Sequence, residues 1–250
     1  MIKKLVVIYG LPRTGTTYLF RRFQEAGAHG TYQKRDEFID LVTEEPRMIG
    51  NIARERIHPG SWDPNQYRKL IKWIRKILEF NENNHHCMVT KHPMYTAIAD
   101  LMKKYLDKFP FDTIWINLIR DPLDIIMSMD AQREYMWRLI HNKPGFNRSH
   151  FQKMPFFFHG IKDASKMLPE ERAVHMIRSM QRYEKISRYE TDPIILPYGE
   201  YPQGIDEKLE ELTGINPGLI EHWKQGSGRN HKKATLDKEL IEHYLRENPL

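Results

Sequence analysis

The sequence predicts an α/β fold, a central parallel sheet flanked by helices, and three observations predict it. Leu5-Val6-Val7-Ile8-Tyr9 is a continuous, largely β-branched apolar run stopped by Gly10, as expected of a strand covered on both faces. A glycine-bearing loop and a helical pattern follow it directly, so the order is strand, loop, helix. Short apolar runs then alternate with helical periods along the chain, an order that parallel strands joined by crossovers satisfy.

The elements follow in turn. Tyr18 to Ala26 places Leu19, Phe20 and Phe23 at helical spacing and stops at Gly27. Pro64 to Phe80 carries an apolar side of Leu70, Ile71, Trp73, Ile74, Ile77 and Leu78 against a basic one. Cys87 to Thr90 reads as a short strand, Tyr95 to Leu106 as a helix, Thr113 to Ile119 as a strong strand, and Leu123 to Leu139 as a helix. Glu170 to Tyr189 is helical and Ile194 to Leu196 strand-like, while Ile205 to Thr213 and Asp237 to Arg246 close the chain as helices. Residues 141–162 are rich in Pro, Gly, Asn and aromatics without a period, which predicts an irregular lid or substrate loop. Neither an internal repeat nor a linker-like shift in composition divides residues 1–250, so one domain is the economical reading.

Composition narrows the partners. Hydrophobic residues make up 40% and charged residues 29%, enough for a core beneath a well-solvated surface. A net charge of +6 favours anionic ligands. The single cysteine, Cys87, excludes an internal disulfide and a thiolate-rich zinc site, and it fits a reducing compartment. The apolar runs are far shorter than the about 20 residues that cross a bilayer, so a soluble, cytoplasmic protein is expected. Adjacent His85 and His86 would point to opposite faces of a strand, and no second cluster completes a metal site, so no catalytic metal is expected.

The most informative stretch is Gly10-Leu11-Pro12-Arg13-Thr14-Gly15-Thr16-Thr17, between the buried strand and the first helix. Backbone N–H groups at such a junction, helped by the helix dipole, bind phosphate or sulfate. The spacing is that of the nucleoside-triphosphate loop, but Thr16 occupies the lysine position, which argues against an ordinary ATPase or kinase. Arg13 supplies a cation instead, and Thr14, Thr16 and Thr17 offer hydroxyl donors. A second anion motif is Leu118-Ile119-Arg120-Asp121-Pro122 after the strong strand, with Ser128 in the next helix. Arg120 and Ser128 suit one phosphate together; separately they read as a strand-end ion pair and an ordinary helix serine.

On these residues the chain resembles the sulfotransferase family, which has a P-loop-like fold and uses 3′-phosphoadenosine 5′-phosphosulfate (PAPS) as donor, releasing PAP. Pro12-Arg13-Thr14-Gly15-Thr16-Thr17 matches the loop that holds the 5′-phosphosulfate, and Arg120 with Ser128 matches the 3′-phosphate site. The resemblance implies that Arg13 and Lys91, in Thr90-Lys91-His92-Pro93, are the catalytic cations, with a strand-end surface role as the other reading of Lys91. It implies adenine contact by Tyr198 in Leu196-Pro197-Tyr198-Gly199-Glu200, where a core tyrosine is the alternative, and more loosely by Trp62, for which core packing is the preferred reading. Arg229, then Lys232, in the basic segment Gly226 to Lys233 would complete the 3′-phosphate site, unless that segment is a solvated turn.

The acceptor needs a base, and two branches of the family supply it differently. Glu37 corresponds to the glutamate of the carbohydrate and tyrosyl-protein enzymes, with Asp36 behind it, while His92 corresponds to the histidine of the cytosolic enzymes. Glu37 is preferred because Phe38 follows it as in the glycan enzymes, and His92 stands one residue too near its lysine. Phe156-Phe157-Phe158-His159 is read as packing beneath the long loop before acceptor-pocket lining. The implied partner is a small-molecule or glycan acceptor, with no nucleic acid and no membrane; oligomeric state is open. A P-loop nucleotide or small-molecule kinase and a non-enzymatic polyanion binder are the competing functions.

Overall fold

The computed structural model describes residues 3–30, 68, 71–72, 86–132, 135–142, 161, 163–220 and 234–250. Five strands, β1 (Lys3–Gly10), β2 (His29–Gly30), β3 (Cys87–Lys91), β4 (Phe111–Ile119) and β5 (Ile194–Pro197), form one sheet in the order β2-β3-β1-β4-β5. Every pairing is parallel. The expected sheet is present with β1 at its centre, and Val6, Val7, Ile8 and Tyr9 are wholly buried.

Alternation along β1 divides the core. Leu5, Val7 and Tyr9 face a layer containing Met88 and Trp115, covered by α2 (Ala99–Leu106), α3 (Pro122–Gln132), α4 (Tyr135–Ile140), α5 (Pro169–Thr191) and α7 (Lys238–Glu247). Val6 and Ile8 face the opposite layer with Val89, Ile116 and Leu196, covered by α1 (Thr16–Glu25) and α6 (Ile205–Thr213). A strand with both faces covered has no polar side, which is why the first run is uninterrupted.

Several boundaries differ from expectation. The helix expected from Tyr95 is a 3₁₀ turn over Pro93–Ala97 followed by α2, with Ile98 between them. The helix expected over Leu123 to Leu139 is α3 and α4, with residues 133 and 134 outside the described ones. β2 was not anticipated, because two residues are too few to show a period. Of the helix expected over Pro64 to Phe80, Arg68, Ile71 and Lys72 are described and are helical. Of residues 141–162, only His141, Asn142 and Ile161 are described, so the expected lid lies largely outside.

Polar side chains tie α5 to the ends of the central strands, where a functional loop needs a rigid base. Tyr9 Oη and Thr191 Oγ1 are 2.8 Å apart, Ser187 Oγ donates to Thr96 O at 2.7 Å, and Asn117 Nδ2 donates to Glu184 Oε1 at 3.0 Å. Burial pushes the Glu184 carboxyl up, opposed by the Asn117 hydrogen bond and by Arg188. Arg172 donates to the carbonyls of Ile140, Ala164, Ser165 and Met167, fixing the connection into α5. Asp130 on α3 accepts from Thr235 N, Leu236 N and His141, pinning the segment before α7. Burial alone would raise the Asp130 carboxyl, but those hydrogen bonds outweigh it and hold it below its ordinary range.

Candidate active site

The loop from β1 to α1 is shaped by two glycines that lie against neighbouring elements. A Cβ on Gly10 would stand 2.4 Å from Leu118 O, and one on Gly15 would stand 2.4 Å from the Tyr198 ring, at positive φ in both cases. Neither position accepts a side chain without moving its neighbour. Gly15 is also the N-cap of α1, where no side chain caps the helix and no acid occupies the first turn. The first-turn N–H groups therefore have no intrahelical partner and suit an anion.

The loop threonines divide in role. Thr14 Oγ1 donates to Leu11 O at 2.7 Å and Thr14 N bonds the same carbonyl at 3.2 Å, so its hydroxyl proton is committed to the loop itself. The expectation of three free hydroxyl donors is revised on that ground. Thr16 is buried at the start of α1, and Thr17 Oγ1 accepts from Lys91 Nζ at 3.0 Å. Lys91 reaches the loop because β3 pairs with β1 and puts it level with Ile8.

Arg13 adopts φ 72°, a left-handed conformation that strains a residue with a Cβ. Two contacts hold it. Arg120 Nη1 donates to Arg13 O at 3.1 Å, and Arg13 Nε donates to Ser128 Oγ at 3.3 Å. Arg120 directly follows β4, and its guanidinium lies 4.8 Å from the centre of the Tyr198 ring. Tyr198 N donates to Ile119 O at 2.9 Å, which fixes the tyrosine beside both Arg120 and Gly15. Asp121 caps α3 by accepting from Leu123 N and Asp124 N, and Asp124 approaches Arg120 at 3.8 Å. The Asp124 partner was readable from its i,i+4 spacing but was not anticipated.

Pro12, Arg13, Thr14, Gly15, Thr16, Thr17, Lys91, His92, Arg120, Ser128 and Tyr198 thus gather at the C-terminal ends of β1, β3, β4 and β5. Open parallel sheets bind ligands at that edge. The second anion motif follows β4, which is the fourth strand in sequence but adjacent to β1 in space. Glu37, Asp36, Trp62, Phe156, Phe157, Phe158, His159, Arg229 and Lys232 lie outside the described residues.

Burial, with nearby Lys91 adding to it, pushes the His92 imidazole down to about 3. The ring is therefore neutral at neutral pH, and the same shift makes it a weak base. Its folded pKa lies below its unfolded value of 6.5, so in that interval the unfolded chain binds more protons. The His92 contribution to stability is accordingly expected to fall as pH drops from about 6.5 towards about 3, and a His92→Gln variant should lose that part of the slope. Denaturant unfolding of both proteins from neutral pH downward checks this; identical slopes would reject it.

Cys87 is buried and its thiol is raised to about 12 by desolvation, which makes it a poor nucleophile. Among the described residues no group of three or more His, Cys, Asp or Glu side chains could hold a metal ion. Among the described residues no helix is long and apolar enough to cross a membrane.

Two of three comparisons relate the chain to known proteins. In shape the chain is similar to the sulfotransferase domain of the Synechococcus PCC 7002 olefin synthase, with a TM-score of 0.42 and 16% identity over 100% of this chain and 89% of that one. It is also similar to sulfotransferase STF9 from Mycobacterium avium, with a TM-score of 0.33 and 15% identity over 100% of this chain and 69% of that one. No curated protein matches. A sulfotransferase family matches residues 6–191, a span that holds the loop, Lys91, Arg120 and Ser128 and ends before Tyr198. With most of its length inside that match, the chain belongs to the sulfotransferase family.

Proposed function

We propose that the protein transfers a sulfuryl group from PAPS to a hydroxyl or amine acceptor of the small-molecule or glycan class. The observation that carries this reading is the Arg120–Arg13–Ser128 chain of hydrogen bonds, which joins two anion-binding motifs distant in sequence into one constellation. The donor set fits a ligand with anions at both ends. Thr16, Thr17, Lys91 and the first-turn N–H groups of α1 would hold the phosphosulfate, Arg120 and Ser128 the 3′-phosphate, and Tyr198 the adenine, with Arg229 completing the 3′-phosphate end.

When bound, PAPS supplies the activated sulfuryl group and a phosphate leaving group. Arg13 and Lys91 stabilise negative charge that grows during transfer, the main contribution expected in chemistry dominated by positioning and electrostatics. Glu37, with Asp36 behind it, takes the acceptor proton; neutral His92 is the competing base. The whole of residues 1–250 forms one transferase domain, with 141–162 as its substrate loop. The cytoplasm is the proposed location, supported by a cysteine content of one, too few for an internal disulfide.

The rival kinase reading is opposed by Thr16 at the lysine position and by the Arg120–Ser128 pair, which ATP would leave unmatched. Thermal unfolding separates the two. PAP without magnesium, at about a hundred times its dissociation constant, is expected to raise the midpoint by roughly 5–10 °C. A response to Mg-ATP alone would overturn the proposal.

A further inference from the structure

Beside the loop lies a cavity of about 370 Å³, within the range of small-molecule sites. Leu11, Ile119, Ile125 and Leu250 contribute apolar lining, and the charged groups are Arg120, Lys185, Arg188 and Glu184. Thr16, Thr17, Lys91, Ser128 and Tyr198 are not among its walls, so it adjoins the constellation described above through Arg120 and the loop without coinciding with it.

One wall is built from buried groups. Asn117 is fully buried on β4, and Arg188 Nε donates to its Oδ1 at 3.0 Å. Arg188 Nη2 pairs with Glu184 Oε2 at 3.3 Å, while Glu184 Oε1 accepts from Asn117 at 3.0 Å. Both Glu184 oxygens are thereby engaged with partners other than Arg120 and Lys185. Among the described residues Lys185 has no ion-pair or hydrogen-bond partner. Among its side chains three cations face one engaged carboxylate, which favours an anion, and Arg188 is held in place before any ligand arrives.

We infer that this cavity is an accessory binding site for an organic oxyanion, a sulfate ester or carboxylate carried on an apolar body. The head group meets the Arg188 guanidinium and the Lys185 ammonium, for which paired oxygens are the matching geometry, and leaves Arg120 to the loop. The apolar body covers Leu11, Ile119, Ile125 and Leu250, whose removal from water adds affinity that a bare anion lacks. This inference stands apart from the donor reading, since the cavity needs neither PAPS nor transfer chemistry.

Calorimetric titration of the whole chain with naphthyl sulfate, naphthoate and inorganic sulfate tests it. Single-site binding of at least one naphthyl anion, tighter than inorganic sulfate, is expected, and the tighter of the two names the head group. Lys185→Glu and Leu250→Asp, both at exposed positions, should each weaken that binding about tenfold or more by placing a like charge at the cavity. PAP affinity should remain within about twofold in both variants. Three results would each overturn the inference: naphthyl anions no tighter than inorganic sulfate, unchanged affinity in both variants, or competitive displacement by PAP. The last would place the anion in the donor cleft while leaving the donor reading intact.

Discussion

Replacing Arg13 by glycine or by alanine is expected to lower turnover by about 10²–10³-fold, the effect typical of removing one donor aimed at developing charge. The two variants should nevertheless differ in stability. Both lose the guanidinium and its hydrogen bond to Ser128, so their difference isolates the backbone. Arg13 sits at φ 72°, where alanine keeps the clash of its Cβ and glycine has none. Glycine gives back part of that advantage through its freer unfolded chain, leaving the glycine variant roughly 0.5–1 kcal/mol more stable than the alanine variant. In a chain of this size that is about 1–4 °C in the unfolding midpoint. Turnover at saturating donor and thermal unfolding of both variants provide the check. Equal midpoints would show that the loop relaxes out of the left-handed conformation; unchanged turnover would remove Arg13 from the chemistry.

Arg120→Ala should weaken PAP binding by about 10–150-fold, corresponding to about 1.5–3 kcal/mol for hydrogen bonds to a charged group. ADP, which lacks the 3′-phosphate, serves as the internal control. Some loss for both ligands is expected, because Arg120 also donates to Arg13 O and packs on Tyr198. The selectivity between the two ligands is the decisive quantity. Arg120→Lys should recover only part of it, since an ammonium restores the charge without the planar fork. Equal losses of PAP and ADP would mean that Arg120 supports the loop and reads no phosphate. Asp124 lies 3.8 Å from Arg120 and is exposed. Screening weakens that ion pair as well as the ligand contact, so the comparison belongs at one ionic strength.

Much of the architecture was legible before any coordinates. β1 was readable because covering both faces of a central strand demands an unbroken apolar run. α6 was readable because Gly204 and Gly214 flank it, both left-handed and serving as its caps. The split of the Tyr95–Leu106 helix was not readable, since 3₁₀ and α turns share nearly the same apolar spacing over so few residues. Thr14 illustrates a different limit. Its residue type promised a ligand donor, but its nearness to Leu11 O turned that hydroxyl inward. The carboxylates Asp130 and Glu184 carried no recognisable motif, and their partners include backbone N–H groups and side chains from other elements.

The sequence by itself determined the loop's chemistry: the glycines, Arg13 and the missing lysine at Thr16 are local, and local spacing is enough to specify an anion cradle on a helix N-terminus. Tertiary structure alone decided what that cradle is joined to. Placing β4 and β3 on either side of β1 brings Arg120 to Arg13 and Lys91 to Thr17, and the turn after β5 lays Tyr198 over Gly15 and against Arg120. Strand order is set by how the helices cover two apolar faces at once, a property of the whole core and of no single segment, so these contacts exist only once the sheet is assembled.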